Sequence, residues 1–308
     1  MIRITKFFIF VTVLSLVYSC GGTSENAETD GFDDFSVPDS VLTEEDEPLI
    51  ISEQAMEGII SNISSPVEMS SLIKESGVQF NYKYLNSTDN IDNYNTGFIQ
   101  ALNLGVLGAD LGYLNMYNKT GTVLSYITSI KTLADNLKVG QFFDFSMLKR
   151  LATNSDNLDS LMYISVSSFD QMDVFLRENN RSDVSALIVT GVWLEGLFLA
   201  TQVVKDASSN KEIIERIGEQ KLILNDLLII LNNYKRDKKF FDLIERINKI
   251  KSLFKEVSIT YEVGEPEAVE INGVLTIIQN ETSIVNITDE QIKAITAEVE
   301  SVRYFIVK

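Results

Sequence analysis

From residue 97 to residue 257, apolar side chains return every three or four positions, the period of one face of a helix. The runs predict helices over 97–117, 121–138, 144–153, 156–178, 182–206, 210–233 and 238–257, with breaks at Gly140 and the Asn154–Asn157 cluster. In the last of them Phe240, Ile244, Ile247, Ile250, Phe254 and Val257 form a single stripe. Upstream, Ser65-Pro66-Val67-Glu68 has the order of an N-cap, a first-turn proline and a nearby acid, which starts one more helix. No proline lies between Pro66 and Pro266, so the commonest helix breaker is missing from the whole stretch.

After Val257 the period falls to two. Ile259 to Val263 alternates as a strand does, and Val269–Ile271 and Val274–Ile278 flank Asn272-Gly273, a two-residue hairpin signal. Ser283–Ile287 adds another strand. Thr288-Asp289-Glu290-Gln291 then opens a last helix through a capping box, and Ile292, Ile295, Val299 and Val302 stripe it. The expected class is mainly α: an antiparallel helical bundle or an array of helix pairs, followed by a small antiparallel β-meander and a terminal helix. Residues 51–257 form the helical domain, and 258–308 the meander and helix packed on it.

Two of the helices, 97–117 and 182–206, are apolar almost all round. The first carries Ala101, Gly105, Gly108, Ala109 and Gly112 at steps that let backbones approach closely, while Asn103, Asp110 and Asn115 argue against a membrane span. Ala101-Leu102-Asn103-Leu104-Gly105-Val106-Leu107 echoes Ala186-Leu187-Ile188-Val189-Thr190-Gly191-Val192-Trp193, a hint of internal duplication. Each helix holds one acid amid its apolar residues, Asp110 or Glu195. An acid in such a place is satisfied by a core partner, points outward, or is a ligand or catalytic group with a raised pKa.

The N-terminus changes the picture. Arg3 and Lys6 precede eleven uncharged residues, Phe7 to Val17, a stretch too short to span a bilayer and right for a signal peptide. It ends in Leu16-Val17-Tyr18-Ser19-Cys20-Gly21-Gly22, with the only cysteine of the chain. The segment resembles the lipobox of bacterial lipoproteins, with Val17 in the aliphatic position and Ser19 in the small one. The resemblance implies that residues 1–19 are a signal peptide removed before Cys20, and that Cys20 carries a diacylglycerol thioether. Each buried acyl methylene contributes about 0.8 kcal/mol, so two or three chains hold the protein stably.

Residues 20–50 follow as a lipidated cysteine and a disordered acidic linker. Positions 21–50 hold ten Asp and Glu and no Lys or Arg, with too few apolar side chains to offset chain entropy. The whole chain has a formal charge of −18; without Arg3 and Lys6 it falls to −20. Together with the helices around Ala101–Tyr113 and Val189–Gln202, these features resemble the helical lipoproteins of Bacteroidetes, which carry no known activity. The resemblance implies the cell envelope, most naturally the outer membrane. No acidic pair follows Cys20-Gly21-Gly22, which favours a periplasm-facing anchor over the cell surface.

Missing residues narrow the chemistry. The chain has no histidine, which removes Ser-His-Asp catalysis, histidine-bound zinc and imidazole proton transfer. Lipidation of Cys20 leaves no thiol. Ser71-Leu72-Ile73-Lys74, Ser146-Met147-Leu148-Lys149, Lys119-Thr120-Gly121 and Ser155-Asp156-Asn157 spell the penicillin-binding signature, but in the wrong order. Asp89–Asn93 and Asp156–Asp159 lack the glycine and downstream Glu of a calcium loop. No cofactor and no metal are expected.

Eight basic residues fall between Lys235 and Lys255. Lys239, Arg246, Lys249, Lys251 and Lys255 are a candidate patch for an anionic glycan or lipid, against the plainer reading of a solvated helix face. The negative total charge and the envelope location exclude nucleic acid.

The expected function is that of a membrane-anchored, non-catalytic lipoprotein that mediates protein interaction or envelope assembly through an envelope protein partner. One alternative is a glycan- or small-ligand-binding lipoprotein, with Tyr113, Tyr117 and Trp193 as stacking residues beside Asp110 and Glu195. Another is a hydrolase that uses those two carboxylates. An aromatic-lined pocket would favour the first alternative. Carboxyl groups about 5–10 Å apart in a cleft would favour the second. A closed core would leave the interaction reading.

Overall fold

The computed structural model describes residues 68–152, 158–206, 210–264, 267–271, 274–278 and 281–308. The lipobox with Cys20, the linker 20–50, the cap residues 65–67, Ser155-Asp156-Asn157 and the turn Asn272-Gly273 lie outside the described residues.

The helices in chain order are α1 (Glu68–Glu75), α2 (Gly97–Met116), α3 (Thr120–Asn136), α4 (Phe145–Ala152), α5 (Leu158–Glu178), α6 (Ser182–Asp206), α7 (Lys211–Asn232), α8 (Lys238–Leu253) and, after the strands, α9 (Asp289–Val307). The strands are β1 (Ser258–Val263), β2 (Glu267–Ile271), β3 (Val274–Ile278) and β4 (Glu281–Asn286). The fold is mainly α, with a small antiparallel β part and a terminal helix, as the hydrophobic pattern predicts.

The two apolar helices form the centre. α2 is buried from Ala101 to Asn115 and packs most extensively on α6, while α1, α3, α5 and α9 also pack on it. Gly105 lies against the backbone of Ile188 and Val192, and Gly191 lies reciprocally against Leu102 and Val106. A Cβ on either glycine would stand 2.0 Å from a carbonyl oxygen, that of Ile188 or Leu102. Further along both helices Asp110 meets Glu195, so α2 and α6 run in the same direction. α6 has the length and composition of a membrane span, yet 83% of its apolar window is buried inside the fold. The polar residues Asn103, Asp110 and Asn115 of α2 are likewise enclosed.

Polar residues set the helix ends. Thr96, Asn210 and Asp237 accept backbone N–H bonds at the starts of α2, α7 and α8, and α9 opens with the Thr288–Gln291 capping box. α2, α3 and α5 each end on a residue with positive φ, Asn118, Lys138 and Asn180, followed by an N–H that reaches back five residues. α3 therefore stops before Gly140, because the turn is made at Lys138 without glycine.

The strand order differs from the expected meander. β1 pairs with β4, from Ser258↔Asn286 to Val263↔Glu281, and β2 pairs with β3, from Glu267↔Ile278 to Ile271↔Val274. The two ladders are nested, as in one extended hairpin, and not sequential. β4 packs on α7, where Val285 lies against Gly218 and the Ser283 hydroxyl donates to Glu219 at 2.6 Å.

Candidate functional site

The most concentrated chemistry is in the core. Glu195 of α6 is fully buried, and Arg303 of α9 grips both of its oxygens, Nε to Oε2 and an Nη2 contact to Oε1, each at 2.6 Å. The same guanidinium donates to the Tyr84 carbonyl at 3.1 Å and lies 3.9 Å over the Phe198 ring. Asp110 of α2 is fully buried beside them; its Oδ2 accepts the Asn86 N–H at 3.0 Å, and it lies within hydrogen-bonding range of Glu195.

One arginine cannot neutralise two carboxylates. Burial first, and the neighbouring Glu195 charge second, hold the Asp110 carboxyl well above its ordinary range. A neutral Asp110 becomes a donor, which suits its Oδ1, an oxygen that meets no protein donor. Burial alone would lower the Arg303 pKa, but the charge and hydrogen bonds of Glu195 outweigh it and raise it. The cluster is then a charged pair capped by a neutral acid.

The sign of the pH effect follows. A carboxyl raised in the folded state binds its proton more tightly there than in the unfolded chain, so its contribution is full at low pH and is lost as pH rises through the folded pKa. Asp110→Asn keeps a neutral side chain and an amide donor. The variant is expected to lose less stability than wild type as pH climbs from the ordinary carboxylate range to above neutrality. Urea unfolding across that window measures it; parallel stability curves for the two proteins would show that Asp110 does not carry the extra proton.

The cluster also pins the loop between α1 and α2. Besides Arg303 on Tyr84 O and Asp110 on Asn86 N–H, the Tyr126 hydroxyl donates to Asn86 O at 2.5 Å, and Asn86 Nδ2 reaches Tyr94 at 3.0 Å. Asn103 Nδ2 donates to Ile306 O at 2.9 Å, and Tyr94 and Asn90 both donate to Val307 O at 3.2 Å, so the end of α9 is held by side chains of α2 and of this loop.

The loop and the end of α6 border an open groove of about 670 Å³. Gln79, Phe80, Asn81 and Tyr84 line one side, and Asp206 and Asn210 line the other. The Tyr84 hydroxyl donates to Asp206 Oδ2 at 2.5 Å, and burial together with that bond pushes the phenol up to about 12. Asn81 Nδ2 also reaches Asp206 Oδ2, at 3.4 Å, while the Asn81 N–H donates to Tyr113 Oη at 3.1 Å.

Of the residues singled out in the sequence, Asp110 and Glu195 come together, but in a sealed core and not in a cleft. The ligand-binding expectation for them is corrected: neither acid has solvent exposure, Arg303 holds both Glu195 oxygens, and the loop holds Asp110 Oδ2. Trp193 is also a core residue, with its Nε1 donating to Gln220 Oε1 at 3.0 Å. Tyr113 is fully buried and stacks on Phe80 at 5.1 Å, and the half-buried Tyr117 donates to Val78 O at 2.6 Å. Trp193 and Tyr113 sit at core positions and offer no face to a ligand, while Tyr117 packs part-buried against that core.

Lys239, Lys249, Lys251 and Lys255 are exposed around the outer half of α8, whereas Arg246 is half-buried with its guanidinium 3.8 Å over Phe305. Acids interrupt the patch; Lys238 pairs with Asp242 at 3.5 Å. Among the described residues no group of three or more His, Cys, Asp or Glu could hold a metal ion.

Sequence reading missed Arg303 and the groove. Arg303 had a signal: it falls four residues after Val299, on the edge of the apolar stripe of α9. The groove residues had none, because Gln79, Asn81 and Asn210 belong to loops and a helix cap. No protein family, curated protein or solved structure matches the chain.

Proposed function

We propose that this protein is a lipid-anchored lipoprotein of the bacterial cell envelope that acts by binding, without catalysis, to hold a protein partner or support an envelope assembly. One observation carries the non-catalytic part. The two acids best placed for a carboxylate-pair mechanism have no solvent exposure and are consumed by Arg303, Asn86 and each other. A pair that water and substrate cannot reach cannot act as acid and base. The anchor reading rests on the lipobox at Cys20 and the acidic linker behind it.

Cys20→Ala tests the anchor. The wild-type protein is expected in the membrane fraction with a mature mass that includes acyl chains, and the variant in the soluble fraction without them. Unchanged mass and fractionation would refute lipidation. Crosslinking in intact envelopes tests the second half: the anchored protein should give a discrete adduct that the unanchored variant loses, and the absence of any adduct counts against an assembly role.

A further inference from the structure

We infer that the outer edge of β1, Ser258–Val263, is a docking site for an extended, basic segment of a protein partner, which adds a third strand to the β1–β4 ladder. The inference rests on the binding reading above and gives its partner a chemistry.

Backbone comes first. Among the described residues β1 pairs only with β4. In an antiparallel pair every second residue turns its N–H and C=O toward the neighbour, and the residues between turn theirs away. That outward row is a template for one more strand. β4 lies on α7, which roots the ladder in the helical body. β1 is open: Thr260, Tyr261 and Glu262 are all exposed, Tyr261 by 54%. Consecutive strand residues point to opposite faces, so along this stretch both faces of β1 meet solvent. A bare two-stranded ladder is marginal in water, and a third strand stabilises it.

Little in the sequence guards this edge. Natural edge strands are blunted by lysine, proline or a bulge. β1 reads Ser-Ile-Thr-Tyr-Glu-Val, without lysine or proline, and its six pairs with β4 keep one register. Ile259, Thr260 and Tyr261 are of the residue types that favour an extended chain.

Charge selects the partner. Residues 258–288 hold five acids, Glu262, Glu265, Glu267, Glu270 and Glu281, and no Lys or Arg. A second copy of the chain would bring the same five acids to the seam, and like charges on neighbouring strands repel. A segment with Lys or Arg at alternate positions sets opposite charges beside Glu262 instead. The exposed Tyr261 ring offers a face to the stem or the cation of such a side chain.

Amide hydrogen exchange of the full chain, with and without a probe peptide, tests the inference. The probe is an octapeptide, blocked at both ends, that alternates Lys with Val and Thr; one control carries Glu in place of Lys and another Pro in place of Val. The basic peptide should bind at or below about 1 mM in about 50 mM salt and slow exchange at alternate β1 amides. Both controls should bind at least about tenfold more weakly. Glu262→Lys, at an exposed position, should weaken the basic peptide about tenfold and leave the helical circular dichroism unchanged. The inference falls if the basic peptide does not bind up to about 10 mM, if it binds without protecting β1, or if the acidic peptide binds as well. It also falls if β1 gains protection with protein concentration alone, the signature of a second copy. In intact envelopes, a crosslinked adduct of full yield in Glu262→Lys would overturn the docking edge and leave the binding reading standing, whereas no adduct with wild type would take both down.

Discussion

Arg303→Ala is expected to destabilise the protein by about 3–5 kcal/mol, because it strands Glu195 as a buried, unpaired anion and frees the Tyr84 carbonyl at the same stroke. The expected partial cure sharpens the test. Glu195→Leu combined with Arg303→Met removes both charges and leaves Asp110 neutral, as it already is, so the double variant should be more stable than Arg303→Ala by at least about 2 kcal/mol. Urea melts followed by circular dichroism and by the emission of Trp193, the only tryptophan, measure both. If Arg303→Ala unfolds within about 1 kcal/mol of wild type, the pair is solvated and the sealed-core account is wrong.

The second large effect is steric. Gly191→Ala would place a methyl group 2.0 Å from the Leu102 carbonyl oxygen and 2.9 Å from its carbon. Backbone cannot turn aside as a side chain can, so α2 and α6 must separate along a contact buried on both helices. The expected cost is about 3 kcal/mol or more, at the upper end of overpacking. Gly105→Ala meets Ile188 O at the same distance and should behave alike, and the pair should cost less than the sum, since one separation relieves both clashes. Gly121→Ala in α3, with nothing near its Cβ, is the control and should be neutral or gain a few tenths of a kcal/mol. A Gly191→Ala protein as stable as that control would rule out the close crossing.

Much of this architecture was legible because it depends on local period. The helices from Gly97 to Leu253 lie within a few residues of the pattern read along the chain, and the capping box at Thr288 starts α9. The echo between Ala101–Leu107 and Ala186–Trp193 marked the two helices that cross at Gly105 and Gly191. Asp110 and Glu195 stood out because acids are rare on helices that are apolar all round. What lay hidden depends on distance along the chain. Arg303 is 108 residues from Glu195, and no spacing rule links a charged residue of one stripe to an acid of another. The nested strands were missed because alternation gives a strand its faces and not its neighbour. Trp193 and Tyr113 show the reverse error: aromatic side chains at core positions look the same in sequence as side chains over a ligand.

Were the chain exported as proposed above, the long reach of Arg303 would bear on how it crosses the membrane. The carboxylates of α2 and α6 emerge first, and their counter-ion follows on α9, 219 residues after the Tyr84 carbonyl that it also holds. Until α9 arrives, collapse of α2 onto α6 would enclose acids without a cation, so a half-exported chain has an electrostatic reason to stay open. Export in an unfolded state and folding on the far side would then be a matter of arrival order, timed by the helix that brings the arginine.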